Sequence, residues 1–362
     1  MPAGRHECLR HARMKLLVTG GAGFIGSAFV RLSLATDPSI RIVNLDRLTY
    51  AGNLENLEPV ADDARYRFVH GDVCDAALVD RILSEEQPDA IVHFAAESHV
   101  DRSIFAPSPA FETNLRGTFT LLEAAKQHRT ARYLQVSTDE VYGSLQPPLE
   151  ADESFPLNPA SPYSASKAGA DLLARSYFLT YKLPVTITRA SNNYGPYHFP
   201  EKLIPLMISN ALEDRRLPVY GDGMQVRDWL FVEDHCCGIR AVLDRGREGE
   251  IYNIGGNCSL PNLEVVRRIL EATGKPDSLI EYVTDRPGHD RRYALSSEKI
   301  MRETGWAPQV GFADGLARTV EWYRQNTAWV ARVRSGEYLT YYARNYENRQ
   351  SELRTVIDAR GD

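Results

Sequence analysis

Lys15-Leu16-Leu17-Val18-Thr19-Gly20-Gly21-Ala22-Gly23-Phe24-Ile25-Gly26 runs from a short apolar strand through a glycine cluster into a helical stretch. Gly20, Gly23 and Gly26 recur every third residue, and Gly21, Gly23 and Gly26 also match the commoner dinucleotide fingerprint. Without side chains the backbone turns tightly and brings the N–H groups of the helix start against a pyrophosphate. A glycine cluster alone says little, because loops are often glycine-rich. Here it sits between strand and helix, and Asp46 ends the second strand about twenty residues on, where it can accept hydrogen bonds from adenosine ribose hydroxyls. The charge of Asp46 opposes the extra phosphate of NADP, so NAD is the expected cofactor, although Arg47 beside it works the other way. Gly71-Asp72-Val73, after the third strand, suits an adenine contact, and Asp72 could equally cap the next helix.

Outward from this stretch, short apolar runs alternate with helical patterns. Strands are expected near Arg41–Leu45, Tyr66–Val69, Ala90–Phe94, Tyr133–Val136 and Val185–Thr188. Each is rich in branched and aromatic residues and apolar on both sides, as buried parallel strands must be. Helices fall between them near Phe24–Ala35, Ala76–Ser84, Thr113–Gln127 and Tyr163–Thr180. This alternation implies an α/β fold with a doubly wound parallel sheet. After Gly195 the pattern loosens around Pro196, Pro200, Pro205 and Pro218, with helices near Lys202–Glu213 and Leu263–Thr273. The expected organisation is a disordered lead-in over 1–13, a dinucleotide-binding domain over 14–195, a smaller, mostly helical substrate region over 196–328 that partly interleaves with it, and a tail over 329–362. Such sheets bind ligands at their carboxyl edge, so the smaller region should close over the site.

The composition fits a globular chain: 43% hydrophobic and 25% charged residues. A net charge of -6 provides no global field for nucleic acid or an anionic membrane. Cys8, Cys74, Cys236, Cys237 and Cys258 lack the paired spacing of a zinc site, so no metal is expected, and reduced thiols in a cytoplasm are the simplest account. The polar start from Met1 to Arg13 lacks the apolar stretch of a secretion signal, and no segment is long and apolar enough to cross a bilayer.

Two clusters carry the chemistry. Tyr163-Ser164-Ala165-Ser166-Lys167 spaces a tyrosine and a lysine four apart, on one helical face. A free phenol, with a pKa of about 10, is a poor base at neutral pH; a neighbouring ammonium favours the phenolate. Ser137-Thr138-Asp139-Glu140-Val141-Tyr142-Gly143 follows a strand and presents adjacent acids. Close carboxyls push their pKa values apart, which suits one acid and one base. Neighbouring side chains of a strand point to opposite faces, so the strand must end or turn by Ser137 for both acids to reach one substrate.

The glycine loop, the Tyr-x-x-x-Lys pair and this strand end together resemble the extended short-chain dehydrogenase/reductase superfamily. The Thr138-Asp139-Glu140 triplet resembles its dTDP-glucose 4,6-dehydratase members. So do Ala95-Ala96-Glu97-Ser98-His99-Val100-Asp101-Arg102-Ser103, Ser191-Asn192-Asn193-Tyr194-Gly195-Pro196, Pro200-Glu201-Lys202-Leu203-Ile204-Pro205, Val226-Arg227-Asp228-Trp229 and Asp285-Arg286-Pro287-Gly288-His289-Asp290-Arg291-Arg292-Tyr293. The resemblance runs from about Lys15 to Trp322 and implies a Rossmann-type sheet.

It also implies a reaction and its residues. Tyr163 would take the hydroxyl proton at carbon 4 as hydride passes to NAD, with Thr138 bonding that hydroxyl and Lys167 supporting the phenolate and the cofactor ribose. Glu140 would take the carbon 5 proton, Asp139 would protonate the hydroxyl leaving carbon 6, and hydride would return to carbon 6. The implied cofactor set is Gly20, Gly23, Phe24, Ile25, Gly26, Asp46, Arg47, Leu48, Thr49, Asp72, Val73, Ala95, Ala96, Ser98, Thr113, Tyr163, Lys167 and Asn193. The implied dTDP-glucose set is Ser98, His99, Thr138, Asn192, Glu201, Lys202, Leu203, Pro218, Tyr220, Arg227, Asn262, Arg286, His289 and Tyr293. Arg227 is the strongest physical candidate for the diphosphate, because a guanidinium clamps two oxygens; its bland alternative is an ion pair with Asp228. His289, Arg291, Arg292 and Tyr293 crowd a Pro-Gly loop, as a pocket lid or as a solvated basic loop.

Epimerases and decarboxylases of the superfamily share the glycine loop and the Tyr-x-x-x-Lys pair, but need no acid–base pair at carbon 5. GDP-mannose dehydratases typically have a hydroxyl residue in place of Asp139. A non-catalytic NAD(H) sensor usually loses the Tyr or the Lys, and both are present here. Many relatives pair through helices corresponding to Thr113–Gln127 and Tyr163–Thr180, so a homodimer with a four-helix interface is expected.

Overall fold

The computed structural model describes residues 14–335 of the 362. The expected lead-in and most of the expected tail lie outside the described residues. In chain order the strands are β1 (Lys15–Thr19), β2 (Arg41–Asp46), β3 (Tyr66–His70), β4 (Ala90–His93), β5 (Arg132–Thr138), β6 (Val185–Ala190), β7 (Asn192–Tyr194), β8 (Leu217–Tyr220), β9 (Val226–Phe231), β10 (Ile251–Ile254), β11 (Ser259–Pro261) and β12 (Ile280–Val283). The α-helices are α1 (Phe24–Thr36), α2 (Ala76–Glu86), α3 (Val100–Phe105), α4 (Ser108–Phe111), α5 (Thr118–Gln127), α6 (Pro162–Tyr181), α7 (Leu203–Leu212), α8 (Val232–Arg245), α9 (Asn262–Thr273), α10 (Glu298–Thr304), α11 (Phe312–Gln325) and α12 (Thr327–Val333).

Seven strands form the central parallel sheet in the order β10-β6-β5-β4-β1-β2-β3. Apolar side chains fill both faces. Leu16 and Val18 enter one layer with α1 and α8, while Leu17, Val43 and Ile91 enter the opposite layer with α2, α5 and α6. The strand order reverses between β1 and β4, and the carboxyl ends there open a crevice. β10 and α8 lie beyond Gly195, so later chain returns to complete the sheet. A short, wholly buried strand such as Ile251–Ile254 has no alternation to announce it.

The substrate region packs its own core, from Ile204 and Ile208 on α7 to Val265 and Ile269 on α9 and Leu316 on α11. Trp329, the first residue assigned to the tail, instead belongs to α12; it is buried in this core and donates its indole N–H to Asn56 Oδ1 at 3.1 Å. The helix expected over Thr113–Gln127 begins as a π-helical turn, Glu112–Gly117, before α5. Such turns recur at functional sites. This one carries Asn114, whose amide donates to Ser166 Oγ at 2.8 Å and to the Glu97 carbonyl at 3.0 Å, while its oxygen accepts the Glu97 N–H at 2.8 Å.

Beneath the strand end that bears the acids lies a buried ion pair. Arg189 on β6 donates Nε to Asp171 on α6 at 2.9 Å and Nη1 to the Tyr142 hydroxyl at 3.0 Å; that hydroxyl donates to Asn253 Oδ1 at 2.7 Å. One network thus joins α6, β6, β10 and the turn after β5. Asp171→Ala leaves the guanidinium buried and uncompensated, and should cost about 3–5 kcal/mol of stability. Chemical denaturation at neutral pH checks this.

Candidate active site

The glycine turn lies at the sheet's switch point. Gly20 has φ +72°, and a Cβ there would lie 2.5 Å from the Ala95 nitrogen. A Cβ at Gly26 would lie 2.3 Å from the Gly20 carbonyl oxygen. Gly23 caps α1 without a side-chain hydrogen bond, and Phe24, Ile25 and Gly26 line the cleft. The helix start therefore presents backbone N–H groups with no side chain in front of them, which fits a dinucleotide pyrophosphate. Gly21 instead ties the turn to β2, donating its N–H to Asn44 Oδ1 at 3.0 Å, away from the cleft.

Asp46 is buried at the end of β2. Its Oδ2 accepts the Ala22 N–H at 2.9 Å and its Oδ1 the Leu48 N–H at 2.8 Å. A carboxylate has about four acceptor sites, so Asp46 orders the turn and keeps capacity for a ribose. Burial raises its pKa, against these backbone bonds. Arg47 turns to Asp72 at 3.0 Å rather than covering Asp46. Asp72 does not cap the helix that follows; Asp75 does, accepting the Leu78 N–H at 3.0 Å. Thr49, Val73, Ala95, Ala96, Ser98, Thr113 and Asn193 line the same cleft. Leu48 does not: its N–H is committed to Asp46, and its side chain packs on the apolar layer beside the sheet.

At the other end of the cleft β5 runs to Thr138, one residue further than the geometric condition set. A 3-10 turn over Asp139–Tyr142 follows at once. The tight turn replaces strand alternation, so Thr138, Asp139 and Glu140 all line the cleft. Thr138 Oγ1 accepts the Glu140 N–H at 3.2 Å and donates to Asp139 Oδ1 at 3.2 Å.

The two acids meet different surroundings. Burial raises the pKa of Asp139 well above the usual range; the Glu140 and Asp228 charges add to this, and Arg227 opposes it. Burial also raises Glu140, but Arg286, Lys202 and Arg227 all pull it back. Asp139 therefore holds its proton more tightly than Glu140.

Tyr163 opens α6 behind a capping box, in which Ser161 Oγ accepts the Ser164 N–H at 3.1 Å and Ser164 Oγ accepts the Ser161 N–H at 3.0 Å. Its own N–H donates to Ser103 Oγ at 3.1 Å, and its phenol lines the cleft together with Thr138. Lys167 is buried below the cleft rather than lining it, and its Nζ donates to the Val136 carbonyl at 2.7 Å. Burial lowers the Lys167 pKa to about 8, against Asp171. Burial, then the Glu140 charge, push the Tyr163 phenol far above its ordinary value, so the ammonium alone does not secure a phenolate.

Ser98, His99, Asn192, Glu201, Lys202, Leu203, Pro218, Tyr220, Arg227, Asn262, Arg286 and His289 also line this cleft. Lys202 donates to the Ser98 carbonyl at 2.6 Å. Arg227 is not paired with Asp228, which instead accepts the N–H groups of Gly256 and Cys258 at 2.7 and 2.6 Å. It donates to the Val226 and Asp290 carbonyls at 2.8 and 2.9 Å. Tyr293 lies beneath it, 4.1 Å from ring centre to guanidinium, with its hydroxyl on Asp290 at 2.7 Å; Tyr293 supports Arg227 and does not line the cleft. Arg291 and Arg292 point away, to Asp222 and to the Leu149 carbonyl.

His198 and His235, which line the cleft, were not singled out from the sequence, nor was Arg102, which does not line it. Arg102 lies 3.7 Å over the Tyr50 ring and donates to Glu201 at 3.2 Å, joining the loop after β2 to the segment before α7. His235 Nδ1 meets Asn193 Oδ1 at 2.9 Å while Asn193 donates to the Ser191 carbonyl at 2.9 Å. Burial lowers the His235 pKa to about 3, so it is neutral. His198 stacks on Phe24 at 4.0 Å. Arg102 lies within a stretch that carries the resemblance; His235 has no spacing that would have marked it.

The chain matches the family model described as GDP-mannose 4,6 dehydratase over residues 17–319. It is 53% identical to the dTDP-glucose 4,6-dehydratase of Shigella flexneri, with 93% of this chain and 100% of the relative covered. A crystal structure of the dTDP-glucose 4,6-dehydratase DesIV from Streptomyces venezuelae, with NAD and TDP bound, superposes with a TM-score of 0.86 at 56% identity, covering 88% of this chain and 100% of that one. A UDP-glucose 4-epimerase from Thermus thermophilus in complex with NAD is more distant, at 33% identity and a TM-score of 0.80, over 86% of this chain and 100% of that one. With the Asp139–Glu140 turn at the cleft end and this degree of identity, the chain belongs to the dTDP-glucose 4,6-dehydratase family of short-chain dehydrogenases/reductases.

Proposed function

We propose that the chain converts dTDP-glucose to dTDP-4-keto-6-deoxyglucose, a hydro-lyase reaction with NAD as regenerated cofactor. The observation that carries this reading is the pair of adjacent acids at the cleft end, one shielded by anions and one facing cations. Epimerisation at carbon 4 has no use for such a pair. Gly20, Gly23, Gly26 and Asp46 would hold the dinucleotide, with Asn193 toward the nicotinamide. When bound, NAD supplies the redox chemistry, taking hydride from carbon 4 and returning it to carbon 6, and its cationic ring favours the Tyr163 phenolate.

The chain's own residues do the proton work. Tyr163 accepts the proton of the carbon 4 hydroxyl, which Thr138 holds. The ketone at carbon 4 acidifies the carbon 5 proton, and Glu140 removes it and gives a proton back to carbon 5 once carbon 6 is reduced. Asp139 gives its proton to the carbon 6 hydroxyl, which leaves as water. Lys167 fixes the underside of the site through the Val136 carbonyl, and Lys202, Arg227 and Arg286 are the cations available to the diphosphate.

Incubation with dTDP-glucose, followed by the alkaline absorbance of a 4-keto sugar, tests the reading. Product should form from dTDP-glucose and not from UDP-glucose or GDP-mannose; turnover of either alternative without dTDP-glucose would reject it.

The same proposal includes a homodimer and a cytoplasmic location. Phe119 on α5 and Leu172 and Leu179 on α6 are large apolar residues exposed by 48%, 59% and 55%, on the two helices expected to pair. No described helix is long and apolar enough to cross a membrane. Light scattering at micromolar concentration should give a dimer mass, and Leu172→Glu combined with Phe119→Glu should give a monomer.

A further inference from the structure

Asp101 belongs to neither the acid pair nor the glycine turn, yet it is only 3% exposed and lines the cleft from α3. The groups it meets come from the opposite wall. The Tyr220 hydroxyl donates to its Oδ2 at 2.9 Å, and Arg286 Nη1 lies 3.6 Å from its Oδ1. Tyr220 ends β8 and Arg286 follows β12. These strands form a parallel ladder in which Val283 pairs with Tyr220. One carboxylate on the sheet side therefore grips both strand ends of the small sheet that walls the substrate region.

The chemistry of the two contacts differs. The Tyr220 contact is a hydrogen bond of ordinary length. The Arg286 contact is a charge pairing beyond hydrogen-bonding reach, which holds the guanidinium without using its donors. Arg286 Nε has no hydrogen-bond partner among the described residues. Arg227, by contrast, already gives Nη1 and Nη2 to carbonyls. A buried guanidinium with donors to spare binds phosphate oxygens. Burial opposes the charge on Arg286, while Asp101 and Glu140 sustain it. Tyr293, Lys202, Arg227 and His99 also act on this pair, and His289 on the same wall is engaged by Asp285 at 2.6 Å and meets the edge of Tyr220 with ring centres 6.1 Å apart.

We propose that Asp101 is a positioning residue for the substrate's nucleoside diphosphate: it holds Arg286 toward the phosphates and Tyr220 beside the base, and takes no part in the chemistry at the sugar. This rests on the functional reading above and adds a residue to it.

Calorimetric titration of the NAD-loaded enzyme with dTDP and with thymidine, alongside KM and kcat for dTDP-glucose, tests the proposal. Asp101→Asn keeps the size and the acceptor for Tyr220 but removes the charge that holds Arg286. It should weaken dTDP and raise KM by roughly tenfold or more, with thymidine affinity nearly unchanged and kcat lowered far less than KM is raised. Where the asparagine variant fails to fold, judged by its melting curve, Tyr220→Phe removes the other contact of Asp101, the hydrogen bond that the asparagine keeps, and must weaken dTDP. dTDP affinity within about twofold of the parent would overturn the proposal. So would equal weakening of dTDP and thymidine, the mark of a general structural defect, or a loss confined to kcat. Parallel titrations with UDP and GDP separate the two readings. A parent enzyme that binds GDP or UDP in place of dTDP would defeat the functional assignment, and the variants compared on that nucleotide would still decide the role of Asp101.

Discussion

Tyr163→Phe will lower turnover of dTDP-glucose by roughly a hundred- to ten-thousand-fold, the range for losing a positioned proton transfer, while dTDP still binds. The hydroxyl lies at the meeting point of the site. It lines the cleft with Thr138, is carried on the first turn of a capped helix and is shielded from water. Phenylalanine fills the same volume, so the capping box and the Ser103 bond to the backbone remain. What disappears is the proton acceptor for the carbon 4 hydroxyl, without which carbon 5 is never acidified and neither carboxyl can act. Steady-state rates and dTDP titration together check this. Near-normal turnover would remove Tyr163 from the chemistry, and loss of nucleotide binding would mark it as structural.

The second large effect separates the two acids. Glu140→Gln should abolish exchange of the carbon 5 proton with deuterated water, because no base remains to remove it. Asp139→Asn should retain that exchange while formation of the 6-deoxy product falls, because the leaving hydroxyl has lost its acid. Each loss should again be roughly a hundred- to ten-thousand-fold. Mass spectrometry of recovered sugar nucleotides reads both quantities, and the opposite pattern would exchange the roles.

The pH profile follows from the same environments. Glu140 works deprotonated and its pKa is raised, so kcat should fall on the acid side at a pH above the ordinary carboxylate range. Asp139 works protonated and is raised further, so activity persists where an ordinary aspartate would have ionised, then falls as Asp139 loses its proton. Asp139→Asn should remove the basic limb of whatever activity remains, and Glu140→Gln the acidic one.

The spacing along the chain was enough to place the chemistry but not its supports. Thr138-Asp139-Glu140 reads as an acid pair because its members are adjacent, yet their convergence depends on a 3-10 turn that starts where β5 stops. Tyr163 and Lys167 read as a pair because four residues make about one helical turn. The lysine's hydrogen bond to the Val136 carbonyl, on a different element, was not legible in that spacing. Arg227 reads as a phosphate ligand from its charge alone, while one of its carbonyl partners, Asp290, and the ring beneath it belong to a loop about sixty residues further on.

By itself the sequence determined what is local: the glycine turn, the acid at the end of β2, the alternation that makes a parallel sheet, and the residue types needed for proton transfer. Only the tertiary structure decided which charges face which. Asp139 and Glu140 are neighbours in the chain, but the anions and cations that separate their proton affinities arrive from β9, the segment before α7 and the loop after β12. Asp101 grips Tyr220 and Arg286 across similar chain distances. Electrostatic environment depends on distance and burial in space, and local sequence spacing specifies neither between elements that meet only when the chain folds.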